Sequence, residues 1–136
     1  MSTNSAIGVV VNGKIKAVYA HWDGYIEGVG KTLLENYDQK LTEELVSVGD
    51  ISSLGETIGT KHDFDVRCKG MTTFYGRDRG EKNQRARWFN TAEDFVEAYD
   101  GEFAYILGTD GVWYVSEGAE NDWKKVSEAL NEVGVE

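Results

Sequence analysis

Two polar, aromatic segments of the chain carry the residue types best suited to chemistry. The first joins an imidazole, an indole, a carboxylate and a phenol around one glycine: His21, Trp22, Asp23 and Tyr25. Because it follows a predicted hairpin, this segment can present hydrogen-bonding groups and a stacking surface together. Ordinary packing of the aromatic rings, with Asp23 capping a turn, would explain the same residues without any ligand.

The second segment spans residues 72–81. Its candidate side chains combine hydroxyl groups, one carboxylate and two guanidinium groups: Thr73, Tyr75, Arg77, Asp78 and Arg79. We expect Arg77 and Arg79 to form a fork for a phosphate or carboxylate, because guanidinium groups match such oxygens with paired hydrogen bonds. Asp78 would orient one arginine or bind a sugar hydroxyl. The alternative is a solvated loop whose surface salt bridges contribute about 0–1 kcal/mol each.

Other polar clusters give weaker signals. Arg85 and Arg87 lie beside Trp88 and would provide cation–π or phosphate contacts, or only a basic lead into a helix. The histidine, aspartate and cysteine side chains do not follow a metal-ligand spacing such as His-x3-His or Cys-x2-Cys. The sequence therefore predicts no metal site and no cofactor. The single cysteine, Cys68, excludes an intramolecular disulfide.

Charge and length narrow the classes of protein. The 136 residues suit one domain, residues 1–136, and the net charge of −10 argues against direct binding of nucleic acid. No apolar run is long enough to span a bilayer and no signal peptide is recognisable, so we expect a cytoplasmic protein without membrane association. Residues 61–87 hold eight basic and four acidic side chains, net +4, which leaves a small anion admissible as a ligand.

Two β-hairpins are the clearest structural signals. Asn12–Gly13 separates two β-rich runs and predicts a type I′ turn, because both residue types tolerate positive φ. Residues 109–111 predict a second type I′ hairpin between strands at 102–107 and 112–115. Short strands are also predicted at 65–69 and 72–75.

Apolar spacing predicts four helices around these hairpins. One carries Val29, Leu33, Leu34 and Tyr37 on a single stripe. A second ends at Gly49, and a third starts at Thr91. The last is capped by Asn121 or Asp122 and starts its apolar face at Trp123. The fold class is α+β, an antiparallel sheet built from the two hairpins with helices packed on one face.

Several sequence blocks follow one another in an order that carries a resemblance. His21–Tyr25 is followed by a Gly-x-x-Leu-Leu-x-x-Tyr pattern ending at Tyr37, then by Gly49–Gly55 and Tyr75–Glu81. The order resembles a family of small uncharacterised proteins from tailed bacteriophages, well over residues 6–81 and loosely over the C-terminal third. The chain departs from that pattern at Ile26, where proline is expected. The resemblance implies a phage accessory protein in the host cytoplasm and assigns no chemistry.

Three functional hypotheses follow. The leading one is a non-enzymatic binding protein that holds an anionic small molecule, such as a nucleotide, where residues 21–25 and 73–79 meet. The second is an acidic mimic of nucleic acid that blocks a host protein, since residues 88–136 carry net −10. The third and weakest is a hydrolase using His21 and Asp23 for acid–base work. An exposed sheet edge would also allow a homodimer to form across a two-fold axis.

Overall fold

The structure is a computed structural model and describes residues 3–66, 69–118 and 122–132. These residues form eight strands: β1 (Ser5–Val11), β2 (Lys14–Ala20), β3 (Ile51–Ser53), β4 (Thr73–Phe74), β5 (Arg87–Phe89), β6 (Phe103–Leu107), β7 (Trp113–Glu117) and β8 (Lys124–Lys125). They also form five α-helices: α1 (Lys31–Asn36), α2 (Gln39–Val48), α3 (Tyr75–Arg79), α4 (Ala92–Tyr99) and α5 (Val126–Glu132). A π-helical turn, Ile26–Gly30, leads directly into α1.

All eight strands belong to one sheet, with the order β4-β3-β2-β1-β6-β7-β8 and with β5 pairing to β2. Both hairpins are antiparallel, and β1 runs parallel to β6 with Ser5 opposite Phe103. The pair β2 and β3 is also parallel, and the remaining pairs are antiparallel. The predicted α+β class, with a sheet built from two hairpins, is confirmed.

The arrangement of the helices differs from the prediction in one respect, because helices cover both faces of the sheet. The π-helical turn, α1, α2 and α5 contribute to the larger core, which includes Val9, Val18 and Tyr105. Helix α4 covers the opposite face, where Phe95 and Val96 pack on Ala17 and its neighbours. Alternating side chains of the central strands are therefore buried on both sides.

The turns of the two hairpins are different. Asn12 and Gly13 have φ values of 52° and 79°, so the first is the predicted type I′ turn. In the second turn only Gly111 has positive φ, at 77°, and the amide of Gly108 donates to the carbonyl of Val112. This pattern is a three-residue loop with a left-handed last residue, and the predicted type I′ turn is wrong here.

Most helix boundaries follow local signals. Asp38 accepts a hydrogen bond from the amide of Leu41 and starts α2, which ends at Gly49. Thr91 accepts one from the amide of Asp94 and starts α4, as predicted. The last helix starts at Val126, later than predicted, because residues 124–125 pair with β7 as a strand. The other proposed cap, Asn121, lies outside the described residues.

The middle of the chain contains more regular structure than its composition predicts. Residues 75–79 form the short helix α3 instead of a loop, and residues 87–89 form a strand. The strand predicted at 72–75 is present over Thr73–Phe74. The strand predicted at 65–69 lies partly outside the described residues, and 64–66 form a turn. Over the described ranges, the structure has no helix with the length and apolar character needed to cross a membrane.

Candidate functional site

One end of the sheet presents polar side chains on the face that α4 leaves uncovered. Ala20, Ile51 and Phe74 are paired neighbours on β2, β3 and β4 and point into the larger core. Because side chains alternate along a strand, the residues on either side of them point to the other face. We call this set the polar face: Tyr19, His21, Ser52, Thr73 and Tyr75.

A hydrogen bond to Tyr19 holds His21 on the polar face. The Tyr19 hydroxyl lies 2.7 Å from Nδ1 of His21. In the tautomer in which Tyr19 donates to Nδ1, the Nε2–H group of His21 can donate to a ligand. Burial raises the pKa of Tyr19 and keeps its phenol protonated.

A second aromatic cluster lies on the same face. The rings of Phe64 and Tyr75 are 5.7 Å apart, and the guanidinium of Arg79 lies 4.3 Å from the first ring and 5.2 Å from the second. Arg79 is half exposed and pairs with Glu81. Asp50 links the two regions, since its carbonyl accepts the amide of Tyr75 and its carboxylate accepts the amide of Tyr19. The Arg79 cluster therefore lies on the segment that joins the sheet next to the strand of Tyr19.

Arg77 has a different role from the one predicted. Its Nε and Nη2 donate to the two carboxylate oxygens of Asp78, and its remaining N–H groups donate to the backbone carbonyls of Ile58, Gly59 and Thr72. All five N–H donors of the guanidinium are used within the protein. The predicted fork of Arg77 and Arg79 is therefore not formed, because the guanidinium of Arg77 is fully used in holding other parts of the protein together.

Asp78 is the buried ion-pair partner of Arg77. Its side chain is fully buried and accepts four hydrogen bonds, two from Arg77 and one each from the amides of His62 and Phe74. Burial alone would raise the pKa of Asp78, but these hydrogen bonds and the charge of Arg77 hold it below its usual value. The carboxylate is thus occupied, and the predicted contact with a sugar hydroxyl has no free acceptor there.

His62, which the sequence gave no reason to select, supports the polar face. Its Nδ1 lies 2.9 Å from the carbonyl of Thr60, so Nδ1 carries the proton and Nε2 accepts from the hydroxyl of Thr73 at 3.1 Å. Thr73 is therefore buried and engaged. Its role is to join the segment around residue 62 to β4.

The segment 21–25 divides between two surfaces. Trp22 is 41% exposed, and its ring contacts His21 edge-on with the ring centres 4.7 Å apart. Asp23 has a φ of 58° and lines a separate surface cleft of about 460 Å³, together with Thr32, Ser53 and Glu56. The Tyr25 hydroxyl donates to the carboxylate of Asp23 at 3.4 Å. Tyr105, fully buried, anchors this segment by donating to the carbonyl of Gly24 at 2.6 Å.

Two residues expected to share one site line different clefts. Asp23 lines the cleft beside Glu56, whereas Arg77 lines another of about 390 Å³ beside Gln84 and Arg85. Of the other predicted residues, Trp22 contacts His21, and Arg79 contacts Tyr75. The ligand-binding roles of these residues stay predictions.

Asp50 is the organising residue that sequence reasoning missed. Its side chain accepts the amide of Tyr19 at 2.9 Å, its amide donates to Gln84, and its carbonyl accepts from Tyr75. Burial raises the pKa of this carboxyl, although the Tyr19 amide and the charge of Arg87 oppose the shift. The sequence signal for Asp50 was its position directly after the glycine that ends α2. That position does not predict that the next residues form a strand paired with β2.

The comparisons with known proteins add no relative. The chain matches no protein-family model, no curated protein and no solved structure. Within residues 3–66, 69–118 and 122–132, no three histidine, cysteine or acidic side chains are grouped as metal ligands would be. Functional inference therefore depends on the geometry of the polar face and of the remaining surface.

Proposed function

We propose that the protein is a non-enzymatic binding protein that holds a small anionic ligand with a planar ring, such as a nucleotide, against the polar face. The observation that supports the proposal is a pair of local groupings: the exposed Trp22 ring against His21, and the exposed Arg79 guanidinium over the rings of Phe64 and Tyr75. Aromatic side chains stack on planar rings, and a guanidinium group binds phosphate or carboxylate oxygens. The proposed ligand would use one kind of contact from each grouping.

Arg79 is the cation that a ligand would use. Its ion pair with Glu81 lies at the surface, where such pairs contribute about 0–1 kcal/mol. An incoming phosphate can replace Glu81 at low cost and gain paired charged hydrogen bonds. The stacking of Arg79 on Phe64 and Tyr75 holds the guanidinium in place before binding.

The free donor of His21 would complete recognition. Because Tyr19 occupies Nδ1, the Nε2–H group can donate to a ligand oxygen or ring nitrogen. The same bond weakens the hydrolase alternative, since the hydrogen-bonded partner of His21 is a phenol and Asp23 is bonded to Tyr25. In the ranges that the structure describes, His21 therefore lacks the carboxylate partner that commonly orients the histidine in general base catalysis.

The resemblance to tailed-bacteriophage proteins supports a biological setting for this activity. A phage accessory protein that sequesters a nucleotide-like signal would deprive a host defence system of its messenger. Sequestration requires tight binding and no turnover, which is consistent with a histidine held as a hydrogen-bond donor.

The test is a thermal-shift and calorimetry screen with mono-, di- and cyclic nucleotides. A ligand at 100 times its Kd should stabilise the fold by about 2.7 kcal/mol. Arg79→Ala and Trp22→Ala should abolish or strongly weaken the shift without changing the unliganded melting temperature. Arg85→Ala and Trp88→Ala are matched controls, because both residues are exposed elsewhere on the surface. Binding that survives both test variants, or no shift with any nucleotide, would refute the proposal.

A second candidate, the acidic mimic, is favoured by one observation on α4. Its solvent side and the residue that ends it expose four carboxylates, Glu93, Asp94, Glu97 and Asp100. Among the described residues, none of these carboxylates forms an ion pair. This function predicts capture of a basic host protein that is lost at high salt and in Glu93→Lys with Glu97→Lys. Capture that resists salt would count against mimicry.

A further inference from the structure

A different surface, on the outer side of β5, has features that the polar face does not explain. Strand β5 pairs with β2 through Phe89 opposite Ile15 and Arg87 opposite Ala17. In the part of the chain that the structure describes, no strand pairs with its other side. That edge offers unpaired backbone donors and acceptors, which can template the addition of another strand.

An exposed tryptophan marks the same strand. Trp88 is 51% exposed, the second most exposed large apolar side chain among the described residues after Val66. The ammonium of Lys16, on the paired strand, lies 5.7 Å from the centre of the indole ring. Tryptophan is the residue type most enriched at binding hot spots, and a neighbouring cation makes the surface amphipathic.

A pocket lies at the start of this strand. The cleft of about 390 Å³ is lined by the end of α2 at Val48, by Gln84 and Arg85 from the segment that enters β5, and by Arg77 and Glu81. The carboxylate of Glu81 is paired with Arg79. Arg85 is exposed at the wall of this cleft. A partner that runs along the strand edge could place a side chain in this cleft, beside the guanidinium.

The charge of this surface is opposite to that of the molecule. Lys16 and Arg85 lie beside Trp88 and at the approach to the strand, and no carboxylate in the described part of the chain forms an ion pair with either. Arg87 lies on the other face of the strand, where its guanidinium covers the rings of Phe89 and Tyr99. A local excess of positive charge in a chain of net −10 selects a short acidic partner and repels an extended polyanion.

From these observations we infer that β5 docks an acidic, extended segment of a partner protein by strand addition. The backbone of the segment pairs with the outer edge of β5, one acidic side chain enters the cleft at Arg85, and an apolar side chain packs on Trp88. This interaction uses other contact residues than the proposed ligand on the polar face, although Glu81, which lines the cleft, pairs with Arg79. The free strand edge favours a peptide over a nucleic acid, which has no backbone amides to pair with it.

The experiment uses the full chain and a synthetic peptide that alternates glutamate with valine. We expect saturable binding by fluorescence anisotropy, with affinity reduced about tenfold or more by Arg85→Glu or Trp88→Ala, a loss of about 1.4 kcal/mol for tenfold. The same peptide with methylated backbone nitrogens at alternate residues should fail to bind if strand addition occurs. A glutamine–valine peptide tests the need for charge, and Lys125→Glu, a charge reversal at an exposed cation of β8, is the control that should bind normally.

Several outcomes would overturn the inference. Absence of peptide binding, equal binding of the methylated peptide, or tighter binding of a single-stranded oligonucleotide would each do so. Self-association that depends on Trp88, detected by sedimentation, would identify a second copy of the chain as the occupant instead. Circular dichroism of each variant shows whether the fold is intact.

Discussion

Arg77 and Asp78, adjacent in sequence, form a two-pronged ion pair inside the protein. Nε of the arginine lies 3.0 Å from one carboxylate oxygen, and Nη2 lies 3.2 Å from the other. The remaining guanidinium donors hold the carbonyls of Ile58, Gly59 and Thr72. One residue pair therefore fixes the segments on both sides of β4, and with them the position of Tyr75 on the polar face.

Replacing Asp78 should test this role directly. Asp78→Asn removes the negative charge and leaves Arg77 largely buried and uncompensated, so we expect a loss of about 3–5 kcal/mol in the free energy of unfolding. Urea denaturation measures it. Arg79→Ala is the control and should change stability by about 0.5 kcal/mol or less, because its ion pair is exposed. A loss of less than about 1 kcal/mol in Asp78→Asn would contradict the stabilising role of the Arg77–Asp78 pair.

The pH dependence of stability should carry the signature of the same carboxylate. The pKa of Asp78 in the folded protein lies below its ordinary value of 3.8, so the unfolded state takes up the proton first as pH falls. The stabilisation from ionised Asp78 is complete at pH values about one unit or more above 3.8. It is lost as the pH falls through the pKa of the folded state. Urea denaturation between about pH 6 and 3 should show this acid limb, and Asp78→Asn should flatten it.

Asp50 provides the opposite case for the same measurement. Burial raises the pKa of this carboxyl in the folded protein, so the folded state takes up its proton first. Its ionisation therefore costs stability at neutral pH, and the cost is relieved as pH falls. Asp50→Asn should steepen the net loss of stability on acidification, whereas Asp78→Asn flattens it. Equal effects of the two variants would show that neither carboxyl is perturbed as described.

Gly49 should be irreplaceable for steric reasons. It has a φ of 124°, and a Cβ atom built on it would lie 2.1 Å from the carbonyl oxygen of Gln84. We expect Gly49→Ala to cost more than about 3 kcal/mol, from backbone strain and overlap together. Gly80→Ala is the matched control, since Gly80 has a φ of 75° with open space around the Cβ position, and it should cost about 1 kcal/mol. Thermal unfolding of the two variants gives the comparison.

Tyr105 should anchor the segment that carries Trp22. Its hydroxyl donates to the carbonyl of Gly24 at 2.6 Å in a fully buried position. Tyr105→Phe leaves that carbonyl unpaired and should cost about 1–3 kcal/mol in the free energy of unfolding. Tyr114→Phe, which removes an exposed bond to Asp110, should have an effect within about 0.5 kcal/mol. Similar losses in the two variants would mean that burial of the Tyr105 bond is unimportant.

Local chemistry explains which elements could be predicted from the sequence. The first hairpin depends on Asn12 and Gly13 alone, and α4 on a capping threonine followed by an apolar pair, so both are readable from a few neighbouring residues. Strand β5 could not be predicted in this way, because its sequence, Arg87–Phe89, carries no alternation and pairs with a strand some 70 residues earlier. Helix placement on the second face likewise depends on tertiary packing of Phe95.

The site shows a similar division. Residue types predicted Trp22, Tyr75 and Arg79 as ligand contacts, and this stays a prediction. The pairing of β2, β3 and β4 brings the segments that carry these residues to one end of the sheet. Register could not be derived without β3 and β4 in place. The pairing of Arg77 with Asp78 was foreseen only as one option, since nothing in an Arg-Asp-Arg sequence says which arginine turns inward. Arg77 turns inward because the fold places the carbonyls of Ile58 and Gly59 within hydrogen-bonding distance of its guanidinium.

The parallel pairing of β1 with β6 has a consequence for how the chain acquires its structure. Ser5 lies opposite Phe103, so the two hairpins, each able to close quickly by itself, join only after a very long loop has closed. Folding speed falls as contacts become more distant in sequence. During synthesis on the ribosome, α2 can cover one face of the first hairpin early, but the edge of β1 stays unpaired until about three-quarters of the chain has emerged.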